Sequence, residues 1–322
     1  MMRTSGWWVP ALVLACAGAC GGGDQPITYT PVSATSDGSL YTLNLGDLKM
    51  VVDASTGARI TEFSLVGTNV LVTSDVNANY GATYWPSPQS SWCAAGGGCW
   101  PPIAAIDNEA YTGSIDTTNS ILLTSGPASI DTVAGSALTV TKLFTPVPEH
   151  GAIDVQYALN NTSTTVSVSL APWQVSRAMV GGLTFFGPGS GTPTYQANSD
   201  PAFMLTEGAG DLWYQQAPVH HDSKAFADGT GWLAQVSLDR LLWLMSFPDI
   251  QPADSPTGEA EIEVYTNSSY VELEAQGALT TIEPQAALTW TVRWKLRRLP
   301  GSATVAPGDA GLAVFATTTL AD

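Results

Sequence analysis

The sequence predicts an all-β fold, a sandwich of antiparallel strands built as a single large domain. Short apolar runs recur along the chain between clusters of Gly, Pro, Asn, Asp and Ser, the punctuation of strands and turns. No stretch sustains a helical period. Only 12% of the 322 residues are charged while Thr, Val and Trp are plentiful, a composition suited to half-buried strands.

The chain opens on a segment unlike the rest. Arg3 is the only charge in residues 1–20, an apolar run begins at Trp7, and the segment closes on Ala15-Cys16-Ala17-Gly18-Ala19-Cys20. A charged start, a short apolar middle and small residues before a cleavage point make a secretory signal. The run is too short to span a bilayer. Cys20, before Gly21-Gly22-Gly23-Asp24, reads as a bacterial lipobox cysteine on a flexible tether, with a plain signal peptide as the alternative. Leu14 makes Cys16 the poorer lipidation site. The expectation is an exported protein, lipid-anchored in the cell envelope, at the outer membrane or periplasmic face. Residues 21–38 read as a flexible linker, 39–300 as the β domain, and 301–322 as a tail or extra strand.

Within the domain, runs at 48–52 and 60–65 flank a turn at 53–57, and runs at 137–144, 153–159 and 165–170 follow. Further runs lie at 231–236, 241–247, 260–265 and 270–274. The clearest alternation puts Leu288, Trp290, Val292, Trp294 and Leu296 on one face and Thr289, Thr291, Arg293 and Lys295 on the other, solvated one.

Acidic residues number 28 against 11 basic, a net charge of −17. The one basic cluster, Arg293 to Arg298, belongs to that alternating strand. Phosphate-backbone binding lacks its electrostatic footing, and no nucleic-acid partner is expected. Cys93 and Cys99 bracket a short Ala/Gly loop and are expected to form a disulfide in an oxidising compartment. A two-cysteine metal site is the alternative, but no histidine stands nearby in sequence, so no metal is expected. Neither a phosphate-cradling loop nor a Gly-x-Ser-x-Gly elbow is present, and no cofactor is expected.

Three segments carry candidate chemistry. Residues 81–112 hold Trp85, Gln89, Trp92, Trp100, Asp107 and Glu109 among Pro86, Pro88, Pro101 and Pro102, which read as a rigid loop rather than a strand. Flat rings beside amides and carboxylates suit the apolar faces and hydroxyls of sugars, the alternative being a loop whose tryptophans only seal the sandwich. In 171–177, Arg177 beside Trp173 is either a buried carboxylate partner or a ligand clamp. Glu259, Glu261 and Glu263, and likewise Glu272 and Glu274, fall on common strand faces and are expected to be mostly solvated, with Glu274 the best functional carboxylate. His220 and His221 lie in a loop and face either a cleft or water.

Taken in order, Gly57-Ala58-Arg59-Ile60, Thr83-Tyr84-Trp85-Pro86-Ser87-Pro88-Gln89, Trp100-Pro101-Pro102, Ala171-Pro172-Trp173 with Arg177, Val271-Glu272-Leu273-Glu274 with Gln276, and Trp290 with Trp294 resemble an uncharacterised family of the galactose-mutarotase-like superfamily. The resemblance covers residues 40–300 and implies a β-supersandwich with a ligand groove across the concave face of one sheet. Aldose mutarotases open a sugar ring with a histidine acid and a glutamate base. The segment 273–276 resembles the one that carries the base, which gives Glu274 that role by resemblance. At the position of the acid this chain has Ser169-Leu170-Ala171-Pro172-Trp173, leaving only His220 or His221 to substitute. The leading expectation is an envelope lipoprotein that binds or acts on a carbohydrate, through Trp85, Gln89, Trp92, Trp173, Arg177 and Glu274 with Asp107 and Glu109 nearby. An active mutarotase using Glu274, and a structural envelope protein without ligand, are the alternatives.

Overall fold

The computed structural model describes residues 26–93, 99–216 and 221–322; the segment read as a signal, Cys20 and His220 lie outside the described residues. Among these, twelve strands form one antiparallel sheet and ten form a second. The sheets pack face to face in the predicted all-β sandwich. The core between them is built from alternate residues of each, with Phe63, Leu273 and Val264 from the first meeting Tyr157, Trp243 and Trp294 from the second.

The alternating run forms the Ala287–Arg298 strand, in which Trp290, Val292, Trp294 and Leu296 are buried. Its other face departs from the solvated one expected. Arg293 donates from Nε and Nη2 to Asp154 at 2.7 and 2.9 Å, and Lys295 is buried, donating to the Thr319 carbonyl at 2.7 Å. What covers Lys295 is the Ala310–Ala321 helix, where a tail or extra strand was expected. Asp309 caps that helix, accepting from the Leu312 N–H at 2.8 Å. Leu312, Ala313 and Ala316 pack on the outer face of the second sheet, against Leu183, Phe185, Trp213 and Trp232. The lysine meets the last carbonyls of the helix, the end a cation favours.

The linker expectation for 21–38 also needs correcting over its described part. Val32–Asp37 is the edge strand of the first sheet, paired along its length with Leu40–Leu45. Ahead of it, Ile27 and Tyr29 pack against the core.

Ala82–Ser87 is the third correction: a fully buried strand where prolines argued for loop. Pro86 stands opposite Pro172 on the Val168–Met179 strand. The Pro172 carbonyl accepts from Gly277 N–H at 2.9 Å and the Pro86 carbonyl from Trp92 Nε1 at 2.6 Å, both directed away from the shared rung. Because N and O of a strand residue point the same way, neither missing N–H was owed to the partner strand.

Candidate functional site

The site lies on the face of the first sheet turned away from the core, across five neighbouring strands: Ala82–Ser87, Val168–Met179, Tyr270–Gln276, Ile262–Thr266 and Ser223–Ala227. Alternation sorts the side chains. On Tyr270–Gln276, Val271, Leu273 and Ala275 enter the core, which turns Tyr270, Glu272, Glu274 and Gln276 to the opposite face. On Val168–Met179, Gln174 points inward and accepts from Tyr157 Oη at 3.0 Å and Trp294 Nε1 at 3.2 Å, while Trp173, Val175 and Arg177 point out. Register then sets neighbours: Trp85 opposite Trp173, Arg177 opposite Glu272, and Glu274 opposite Glu263.

A cavity of about 360 Å³ opens on this face. Its rings are Trp85, Trp100, Trp173, Tyr265 and Tyr270, its amides Asn79, Gln89 and Gln196. Its charged groups are Asp222, Lys224, Glu272 and Glu274. Trp85 and Trp173 are nearly enclosed, at 4% and 2% exposure, whereas Trp100 is 56% exposed and presents a ring to solvent at the cavity. Trp85 is the hub of the aromatic cluster, edge-on to Trp92, Trp100 and Trp173 at centroid distances of 5.6, 5.7 and 5.1 Å. The Cys93–Cys99 disulfide forms as expected from the sequence, between Trp92 and Trp100 in the chain.

Glu274 is fully buried. Its Oε2 accepts from Trp173 Nε1 and from Lys224 Nζ, both at 2.9 Å, and its Oε1 has no partner among the described residues. Lys224 also pairs with Glu263, so one ammonium serves two carboxyls that face each other across the strands. Burial pushes the Glu274 carboxyl up to about 7, with Lys224 pulling against burial and Glu272 adding to it. Burial likewise lifts Glu263 well above the usual range. For Lys224, burial disfavours the ammonium, but Glu263 and Glu274 outweigh it and raise its pKa. The acidic ladder is therefore not solvated as expected: Glu261, Glu263, Glu272 and Glu274 are all buried, with Lys224 between Glu263 and Glu274 and Arg177 beside Glu272.

Of the residues nominated from sequence, Trp85, Gln89, Trp173 and Glu274 meet at the cavity. Arg177 sits one layer back, its Nε 2.8 Å from Glu272 and its guanidinium 5.6 Å from the Trp85 centroid. Of its two readings, the buried carboxylate partner is the one realised. Trp92 is buried behind Trp85 and Trp173 rather than lining the cavity. Asp107 also stands back: it accepts from Trp85 Nε1 at 2.8 Å and from Thr83, and pairs with Arg59 at 3.2 Å, so it orients the ring. Gly57 lets the Asp107 backbone approach, since a Cβ there would lie 2.2 Å from the Asp107 carbonyl oxygen. Glu109 is exposed and off the cavity, and His221 is exposed and does not line it. Asp222, Lys224, Tyr265, Tyr270, Asn79 and Gln196 were not nominated. Lys224 alone carried a readable signal, the same scarcity of cations that singled out Arg177.

Three solved structures share the fold at low identity. A galactose mutarotase-like protein from Lactobacillus casei is 11% identical with a TM-score of 0.55, over 83% of this chain and 100% of that one. The Slr1438 protein from Synechocystis is 12% identical with a TM-score of 0.53, over 85% and 98%. A galactose mutarotase-like protein from Clostridium acetobutylicum is 9% identical with a TM-score of 0.50, over 83% and 98%. No protein-family model and no curated protein matches the chain. The likeness carries the fold: this is a galactose mutarotase-like β-sandwich.

Proposed function

We propose that the protein is a cell-envelope lipoprotein that binds a carbohydrate in this cavity. The observation that carries the reading is the meeting of Trp85, Trp173, Gln89 and Glu274, distant in sequence, around one opening on the sheet face. The exposed Trp100 ring offers a stacking surface for a pyranose face, and Asn79, Gln196, Asp222 and Glu272 offer partners for its hydroxyls. A mere packing role for the tryptophans asks for neither an open cavity nor a buried, partly unpartnered carboxylate in its wall. Titration of tryptophan fluorescence with mono- and oligosaccharides is expected to show saturable changes at millimolar concentration or below. No response to any sugar across a glycan array overturns the reading. The anchor belongs to the same proposal: Cys20→Ala is expected to move the protein from the membrane to the soluble fraction.

A second reading is favoured by the Glu274 carboxyl, raised to about 7 with one oxygen unpartnered. A base at Oε1 would take the anomeric hydroxyl proton as the bond from C1 to the ring oxygen breaks and the ring oxygen gains a proton. No described histidine lines the cavity to supply that second proton, which ranks binding first. Polarimetry decides: accelerated anomer interconversion, abolished by Glu274→Gln, supports ring opening, and the uncatalysed rate leaves binding alone.

A further inference from the structure

Charge around the cavity is unbalanced. Lys224 is the only cation among the described lining residues, against Asp222, Glu272 and Glu274. That lysine is shared with Glu263, so it compensates one of two buried carboxyls. Arg177, the next nearest cation, is engaged by Glu272 at 2.8 Å. No lysine or arginine pairs with Asp222 among the described residues, and its carboxylate instead faces the Tyr265 hydroxyl. Glu259 adds a further carboxylate at the back, accepting from Gln276 Nε2 at 3.4 Å. Glu274 Oε1, buried and unpartnered, is the acceptor left over.

Placing an anion here adds like charge beside desolvated carboxylates, where Coulomb terms are far stronger than in water. Placing an ammonium here supplies the counter-charge that Lys224, shared between two carboxyls, leaves short. Accepting the carbohydrate reading of the cavity, we infer that it selects its sugar by charge: it takes a sugar with a free amino group in preference to the neutral parent, and rejects sugar phosphates and uronic acids. The elevated Glu274 carboxyl fits this, since a ligand cation drives it to the ionised form.

The test is a set of fluorescence titrations near neutral pH and low salt with D-glucosamine, N-acetyl-D-glucosamine, D-glucose, D-glucuronate and D-glucose 6-phosphate, and with the galacto series. The amino sugar is expected to bind about tenfold more tightly than the neutral parent, the scale of one charge-assisted hydrogen bond. The N-acetyl sugar, of similar shape but uncharged, is expected to lose that advantage, and the two anions to bind more weakly than the parent. Added salt is expected to narrow the differences. Glu274→Gln is expected to bring the ratio of free-amine to neutral-sugar affinity close to one, and Asp222→Asn, at an exposed position, to reduce that ratio. Neutral sugar binding matched or exceeded by an anion, or by the N-acetyl form over the free amine, overturns the charge selection and leaves carbohydrate binding standing. No binding by any of these sugars removes both.

Discussion

Lys224→Met probes the charge arrangement directly, because it keeps most of the stem and removes the ammonium. In the native protein that ammonium lies 2.9 Å from Glu274 and also against Glu263, and both carboxyls have fully buried side chains. The variant must therefore take up one further proton or leave a buried carboxylate without a counter-charge. Against an ordinary carboxyl value of 4.5, holding one carboxyl protonated at pH 7 costs about 3 to 4 kcal/mol. This agrees with the roughly 3–5 kcal/mol lost when one partner of a buried ion pair is removed. At pH 5 the same protonation costs only about 1 kcal/mol. The sign follows from linkage. A carboxyl raised in the folded state holds its proton there but not in the unfolded chain, so its contribution is full below 4.5 and falls as pH rises; without Lys224, which lowers the native value of about 7, the fall continues beyond pH 7. Urea unfolding of both proteins at pH 5 and 7 measures the difference. The variant is expected to be severely destabilised at pH 7 and close to native at pH 5, and adding Glu263→Gln is expected to restore most of the loss. Equal destabilisation at both pH values would refute the account, since that outcome points to lost packing rather than lost charge.

The two tryptophans at the same loop are expected to separate stability from binding. Trp92→Ala, deep in the cluster, is expected to cost about 3–5 kcal/mol in chemical denaturation, while Trp100→Ala is expected to hold stability within about 1 kcal/mol and weaken sugar binding. Replacing both Cys93 and Cys99 by alanine is expected to cost about 2 kcal/mol from loop-closure entropy, read as a shift in the urea midpoint. Ending the chain before Asp309 uncovers Leu183, Phe185, Trp213 and Trp232, and is expected to increase binding of an apolar-surface dye and promote aggregation.

The fold was legible because period-two patterning survives in strands such as Ala287–Arg298, where one face must be apolar whatever covers the other. The terminal helix was not, because Ala-Gly-Leu-Ala-Val-Phe-Ala-Thr-Thr-Thr offers little contrast between its faces and its burial depends on a partner distant in sequence. The Ala82–Ser87 strand was hidden by Pro86, whose tolerance depends on Pro172 standing opposite, a pairing that register alone reveals. At the site, Trp85 and Trp173 are legible by their rings and Glu274 by its place near a strand end beside Gln276. Asp222, Tyr265 and Gln196 are not, since each is an ordinary surface or strand residue until the sheet brings it to the opening. Arg177 stands out by scarcity and proximity to Trp173, and Asp107 as a carboxylate beside the rings of 81–112; in the structure they hold the rings and carboxylates that line the cavity.

Two buried glutamates now allow a structural carboxylate to be told from one belonging to a site. Burial pushes both Glu261 and Glu274 up to about 7, so the shift alone does not separate them. Their partners do. Glu261 accepts from Gly229 N–H at 2.7 Å and Ile250 N–H at 3.3 Å, one backbone donor for each oxygen, which fixes two loops beside the Ile262–Thr266 strand. Glu274, which lines the cavity, satisfies one oxygen and leaves the other buried without a partner among the described residues. In Glu261→Gln, an amide N–H would oppose a backbone N–H, and the orphaned donor is expected to cost about 1–3 kcal/mol with sugar affinity unchanged. Glu274→Gln presents no such opposed donor at the bare oxygen, and is expected to alter stability less while changing which sugars bind. Thermal melts paired with the same sugar titrations distinguish them. A Glu261→Gln protein that stays folded but loses sugar binding would contradict the division, because its carboxyl lies outside the cavity wall and reaches the ligand only through the loops it holds.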